Sequence, residues 1–417
     1  MKILLISVGT RGDVEPFIAI GELLQNRGHE IVYCFPEQLG ELVNEKNTFY
    51  PLNREFLEML DSPEGRMIMG AKMGLVKRIK SFFKLYKNGM KVNKLIVQEQ
   101  FDAIEEEQPD IIIYHPKCNY PLLYGKKYGR KTVMVSPVPY VLHYVEGRAH
   151  VGVAGDYGPW INKLTYRAIN FAYSKTIADA SKQLNERRPR KKIGKDLRDE
   201  PFLYSVSPSL FTANPDWPEH VQVLGYHQRQ SMSAESLNSD VDSFLNKYEK
   251  VMLLSFGSMI NPLPEQTTRI LLTALNNLNI PTLVILGSGG LLKLDEFAEN
   301  PLFHFEASIP YNLILPRIHS VIHHGGSGTT HMALKYGCSS MIIPHIFDQH
   351  GWNSLAFTKG CGPKGPAVSK LSKRKLESLI QDLFTNPVYK QNAEQLGASM
   401  QKEDLADELC DFILADV

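Results

Sequence analysis

Short apolar runs alternate with helix-period segments along nearly all of the 417 residues. Only layered α/β architectures, with helices covering parallel sheets, accommodate that rhythm. In the first half Ile3–Val8, Glu30–Cys34, Asp110–Tyr114 and Thr132–Ser136 read as strands. In the second half the strands are Val251–Ser255, Thr282–Leu286, Leu302–Phe305, Ser320–Ile322 and Ser339–Ile343. Between them, Pro16–Asn26 sets Phe17, Ile20, Leu23 and Leu24 on one helical face and closes at Gly28. Pro264–Leu278 and Gly328–Tyr336 read as further helices. A chain of this length exceeds what one core organises, so two domains are expected. A stretch rich in Ser, Pro, Asn and Gly places a linker at 226–245, between domains over 1–225 and 246–388. A tail, 389–417, follows and carries a last helix over roughly 389–415.

Composition removes several function classes. Hydrophobic content of 43% and charged content of 22% are those of a soluble globular protein. With 46 basic and 45 acidic residues the net charge is +1, which argues against a general nucleic-acid binder. No apolar run reaches the ~18 residues of a membrane span. The first strand starts at Lys2–Ile3 and runs into a glycine-bearing loop, unlike a signal peptide. Cys34, Cys118, Cys338, Cys361 and Cys410 are scattered without any CxxC spacing, which predicts a reduced, cytoplasmic protein.

The densest chemistry lies in 321–353, VIHHGGSGTTHMALKYGCSSMIIPHIFDQHGWN. A strand runs into His323, His324, Gly325 and Gly326, after which Ser327, Gly328, Thr329 and Thr330 open a helix. Backbone N–H groups at a positive helix end beside a histidine suit an anion, above all a phosphate. A second strand then ends at Pro344 and is followed by the polar pair Asp348–Gln349. Two such corners at one sheet edge place an anion site beside an acid–amide pair able to read hydroxyls, as a sugar nucleotide requires.

At the other end, strand Ile3–Val8 opens into Gly9-Thr10-Arg11-Gly12-Asp13 ahead of Pro16. The C-terminal edge of a parallel sheet is where such folds bind ligands. Asp13 there can cap the helix or act on a ligand, and its position alone does not choose. GxGxxG is absent, which disfavours a dinucleotide-dependent oxidoreductase.

The 321–353 stretch resembles the donor signature of inverting GT-B UDP-glycosyltransferases, the group that includes sterol 3-β-glucosyltransferases. Members read HHGGxGT and then DQ about two dozen residues on; here His324 and Asp348 stand 24 apart. The resemblance extends to Ser308–Ile309–Pro310–Tyr311 and to GTRGDVEPFIAIGELLQNRGHEI near the N-terminus. It implies an α/β GT-B fold of two Rossmann-like domains with an inter-domain cleft, and a tail helix returning to the first domain. It further implies that Asp13 is the general base deprotonating the acceptor hydroxyl. His324, with Gly326, Ser327, Gly328 and Thr329, would stabilise the leaving diphosphate. Ser258 would meet the donor phosphates, Thr10 the donor, Ile309 the base, and Asp348 and Gln349 the sugar hydroxyls; Arg11 is open between the diphosphate, a domain-closing carboxylate and a surface charge. A UDP-sugar would be the co-substrate, with no cofactor.

Two positions depart from the plant pattern. Ser308 stands where plant members carry a base-stacking Trp, and Met332 where they carry a ribose-binding Glu. No metal is expected, because the only DxD, Asp240–Val241–Asp242, lies in the linker rather than after a strand. His115, after strand Asp110–Tyr114, is a candidate partner for the base, and Trp352 a candidate lining residue. Residues 65–98 hold nine Lys or Arg and no Asp or Glu, interleaved with Met69, Met73, Phe82 and Phe83. That pattern fits a solvated helix face, an apolar acceptor pocket, or peripheral contact with the inner face of a membrane. A second basic cluster, 187–192, reads as an exposed loop.

The expected reaction is therefore inverting, metal-independent transfer of a hexose, glucose from UDP-glucose, to a lipophilic hydroxyl such as that of a sterol. A flavonoid, macrolide or glycolipid acceptor is the nearest alternative. A GT-B sugar-nucleotide epimerase and a non-catalytic binding module are the rivals from other classes.

Overall fold

The computed structural model describes residues 1–62, 65, 75–153, 155–229, 237–259, 261 and 263–415. The chain forms two compact units: Met1–Ser62, Phe82–Gln230 and Asp404–Val417 make the first, Pro63–Ser81 and Ser231–Glu403 the second.

The first unit is built on seven parallel strands: β1 (Lys2–Ile6), β2 (Glu30–Pro36), β3 (Thr48–Leu52), β4 (Ile111–Tyr114), β5 (Lys131–Ser136), β6 (Phe202–Tyr204) and β7 (Val221–Val223). Their order is β3-β2-β1-β4-β5-β6-β7, so the strand order reverses between β1 and β4. That reversal opens the crevice in which doubly wound sheets bind ligands. Three of these strands were not foreseen. Each is short, and β3 and β7 are edge strands, where Pro51 and the polar Gln222 are tolerated. The first helix, Arg11–Asn26, starts five residues before its expected Pro16 and buries Phe17, Ile20 and Leu24. Gly28, at φ +84°, ends it.

The second unit carries β8 (Met252–Ser255), β9 (Thr282–Ile285), β10 (Phe303–Glu306), β11 (Ser320–His323) and β12 (Ser339–Ile342), ordered β10-β9-β8-β11-β12 and all parallel. Here the order reverses between β8 and β11, in a register that pairs Ser255 with His323. The apolar cores of the two units sit between their sheets and helices.

The expected tail helix over 389–415 is two helices. Pro387–Gln401 packs in the second unit, where Gly397 lies against the Leu334 and Lys335 carbonyls and Gln401 donates to the latter. Ala406–Leu414 packs in the first unit, burying Leu409 and Ile413, while Arg27 bonds Asp411 at 2.8 Å and also pairs with Asp407. The Asp240–Asp242 pair lies in helix Ser239–Lys247 rather than in the linker, and Asp242 bonds Arg317 at 2.6 Å. Within 187–192, residues from Arg190 onward begin helix Arg190–Arg198 rather than continuing a loop.

Candidate functional site

In the first unit the loops after β1 and β4 meet at the reversal point. Asp13 occupies the first turn of helix Arg11–Asn26 and divides its two oxygens. Oδ2 accepts from the Thr10 backbone N–H at 2.9 Å and from the Thr10 hydroxyl at 3.3 Å. Oδ1 faces Lys117 Nζ at 2.9 Å and His115 Nε2 at 3.4 Å. Asp13 therefore both caps the helix and presents an oxygen at the sheet edge. Only glycine fits at residue 9, where a Cβ would stand 2.1 Å from Asp13 Oδ2 and φ is +146°.

His115 is placed by its backbone, which donates to Ile6 O at 2.9 Å and so extends the β1–β4 pairing. Its Nδ1 accepts from the Lys117 backbone N–H at 3.1 Å, which leaves the ring proton on Nε2, toward Asp13. Burial by itself would raise the Asp13 carboxyl. The charge of Lys117 and the bond from His115 outweigh it and hold the group below the ordinary value of 3.8. Burial holds the His115 ring below its ordinary 6.5. Lys117 was missed in the sequence; the signal was a cation three residues past the end of β4, the strand beside β1.

Arg11 turns away from this group and pairs with Glu15 at 2.7 Å on the exposed helix face. An i,i+4 carboxylate is the partner it has here, as a surface charge would.

In the second unit the loops after β8 and β11 meet. His324 is buried, and its Nδ1 has no hydrogen-bond partner. Two glycines make room for the ring. A Cβ at Gly326 would lie 2.5 Å from His324 Nε2, and one at Gly257, which has φ +56°, 3.2 Å from Cε1. Burial, reinforced by His323 and His345, pushes this ring well below 6.5, so it is neutral at pH 7. Helix Ser327–Lys335 begins directly after Gly326, its N-cap. The Thr330 N–H makes a 2.9 Å bond to Gly326 O, which leaves the Gly328 and Thr329 amides at the positive helix end. His323 points inward, with Nδ1 accepting from the Gly325 N–H at 3.2 Å. Ser258 is exposed on the β8 loop, three residues past the pairing partner of His323. Ile309 is half-buried, packed on the same core as Tyr311, whose hydroxyl donates to Ser255 Oγ at 2.8 Å.

The glycosyltransferase family 28 N-terminal domain matches residues 3–108. The C-terminal domain of erythromycin biosynthesis protein CIII-like proteins matches residues 300–415. The calicheamicin glycosyltransferase CalG4 superposes with a TM-score of 0.69 over 100% of this chain and 99% of its own, at 16% identity. The chain has the fold of the GT-B glycosyltransferases. A sterol 3-beta-glucosyltransferase of Arabidopsis thaliana is 26% identical over 97% of this GT-B chain and 64% of its own length. A sterol 3-beta-glucosyltransferase of Pichia angusta is 23% identical over 96% of this chain and 32% of its own length. The chain thus spans two thirds or less of these sterol-acting relatives. An O-mycaminosyltylonolide 6-deoxyallosyltransferase of Streptomyces fradiae is 26% identical over 99% of this chain and 97% of its own.

Two residues proposed to face ligands have protein partners in this chain. Gln349 is buried and serves its own helix, Phe347–Thr358: Oε1 accepts from the His345 and Ile346 N–H groups at 2.7 and 3.1 Å. Its Nε2 donates to Met259 Sδ at 3.4 Å. Trp352 is fully buried and packs edge-on to His331, with ring centroids 5.1 Å apart, so it lines no surface. Asp348 stands half-buried in the first turn of helix Phe347–Thr358. Met69 and Met73 lie outside the described residues, as do the side chains of Phe82 and Phe83. Farther along helix Leu75–Glu107, Val92, Ile96 and Val97 are buried in the protein.

Proposed function

We propose that this chain transfers a hexose from a nucleoside diphosphate sugar to a hydroxyl of a lipophilic acceptor, with inversion and without a metal ion. The observation that carries the reading is His324, buried and unpartnered at Nδ1, cleared by Gly257 and Gly326 and set at the start of helix Ser327–Lys335. A pyrophosphate supplies the acceptor that this nitrogen and the helix amides lack. The acceptor oxygen attacks the anomeric carbon, the bond from that carbon to the β-phosphate oxygen breaks, and its electron pair leaves with the diphosphate. The hydroxyl proton passes to Asp13, whose carboxylate the Lys117 charge keeps ionised. A single displacement inverts the centre.

Glucose from UDP-glucose and a sterol acceptor are the specific assignment, supported by the sterol 3-beta-glucosyltransferase relatives. A macrolide acceptor is the second reading, favoured by the Streptomyces relative that matches over nearly its full length. The test incubates the protein with UDP-glucose or dTDP-glucose, each with a sterol, a macrolide and a flavonoid, and follows products by mass spectrometry. A sterol glucoside formed only from UDP-glucose supports the assignment. Epimerised donor without glycoside would replace it with the epimerase, and donor binding without any product with the binding module.

A further inference from the structure

We propose that helix Pro159–Gln183 of the first unit is a docking face for an anionic lipid surface. Trp160, Leu164 and Phe171 follow one another by four and seven residues, which sets them along one line of the helix. All three are outside: Trp160 is 76% exposed, Leu164 48% and Phe171 54%. Ile161, beside them, is 44% exposed. A single exposed apolar residue needs no explanation, but three along a line about 16 Å long do. The opposite side of the same helix buries Asn162, Tyr166 and Ile177, so this line is not the face that holds the helix to its unit.

Charge selects the occupant. Lys163, Arg167 and Lys175 are exposed beside the apolar line, and the helix carries no acidic residue before Asp179. Midway along the helix Arg190 lies over the Phe171 ring at 4.1 Å, and the exposed Lys191 and Lys192 follow it in sequence. An exposed Trp at one end, aliphatic and aromatic groups between, and cations along both margins match the layers of a bilayer interface carrying anionic headgroups. A protein partner of ordinary composition would need a matching acidic rim, and a second copy of this chain would set cation against cation. The proposal does not rest on the transferase reading.

The full-length protein is floated with vesicles of phosphatidylcholine alone and of phosphatidylcholine with phosphatidylglycerol. Binding is expected to the anionic vesicles, to weaken as salt is raised, and to shift Trp160 emission to the blue. Leu164→Glu and Phe171→Glu are each expected to weaken partitioning by about tenfold or more. Lys163→Glu with Arg167→Glu should do the same, since each basic residue near such a surface contributes several-fold. These side chains are exposed, so the variants should keep the wild-type melting temperature, and turnover of a water-soluble acceptor should stay unchanged. Absence of vesicle binding, equal binding by the Glu variants, or a dimer that the same substitutions dissociate would each overturn the proposal.

Discussion

Lys117 Nζ stands 2.9 Å from Asp13 Oδ1, the oxygen of Asp13 that does not cap its helix. The group expected to take a proton is thus held as an ion by a neighbour on the adjacent strand's loop. An ion-paired carboxylate is always ready but weakly basic, so Lys117 sets both the pH range and the strength of the base.

Asp13→Asn keeps the cap geometry and removes the proton acceptor. Turnover should fall by about 10²–10⁴-fold, the usual contribution of a positioned base. Affinity for the nucleoside diphosphate, read by calorimetry, should hardly change. Equal turnover in the variant would remove Asp13 from the reaction.

Lys117→Met should move the acid limb of kcat/KM upward by about one to three pH units, the usual effect of losing a cation beside a carboxylate. In the parent protein the Asp13 carboxyl sits below its ordinary 3.8. Its contribution to stability is therefore full above that value and lost as pH falls toward the folded one. The variant should lose this contribution at higher pH, which acid unfolding followed by circular dichroism will show.

Binding of a nucleoside diphosphate should be accompanied by proton uptake at His324. Burial keeps the ring neutral in the free protein, and an adjacent diphosphate favours the imidazolium. Affinity should rise as pH is lowered from about 8 to about 6 by more than ligand protonation explains. Calorimetry in buffers of different ionisation enthalpy measures the uptake, and His324→Ala should abolish it.

Gly326→Ala should weaken donor binding while leaving the fold intact. The backbone there is ordinary, with φ −66°, so the added methyl strains only the His324 ring that it meets at 2.5 Å. Gly257→Ala should in addition lower stability by about 1 kcal/mol, because its φ is positive. Nucleotide affinity and melting temperature separate the two effects.

Gln349→Ala should destabilise the second unit by about 1–2 kcal/mol, since two buried N–H groups lose their acceptor. Chemical denaturation measures this. A variant of unchanged stability with lost sugar selectivity would instead place Gln349 on the donor.

The apolar runs and glycines of this chain determine two parallel sheets, the order in which their loops are built, and the chemical character of those after β1 and β11. Asp13 and His324 were legible because each follows a strand and opens a helix, a local pattern that adjacent residues suffice to define. What lay 104 residues from Asp13 was not legible: Lys117 acquires its role only because β4 pairs with β1. Tertiary packing likewise turned Gln349 inward, buried Trp352, and broke the tail into helices that serve different units. Periodicity records which residues prefer an apolar side, but which partner satisfies a given donor is decided by distance, and distance between remote segments exists only in the folded chain.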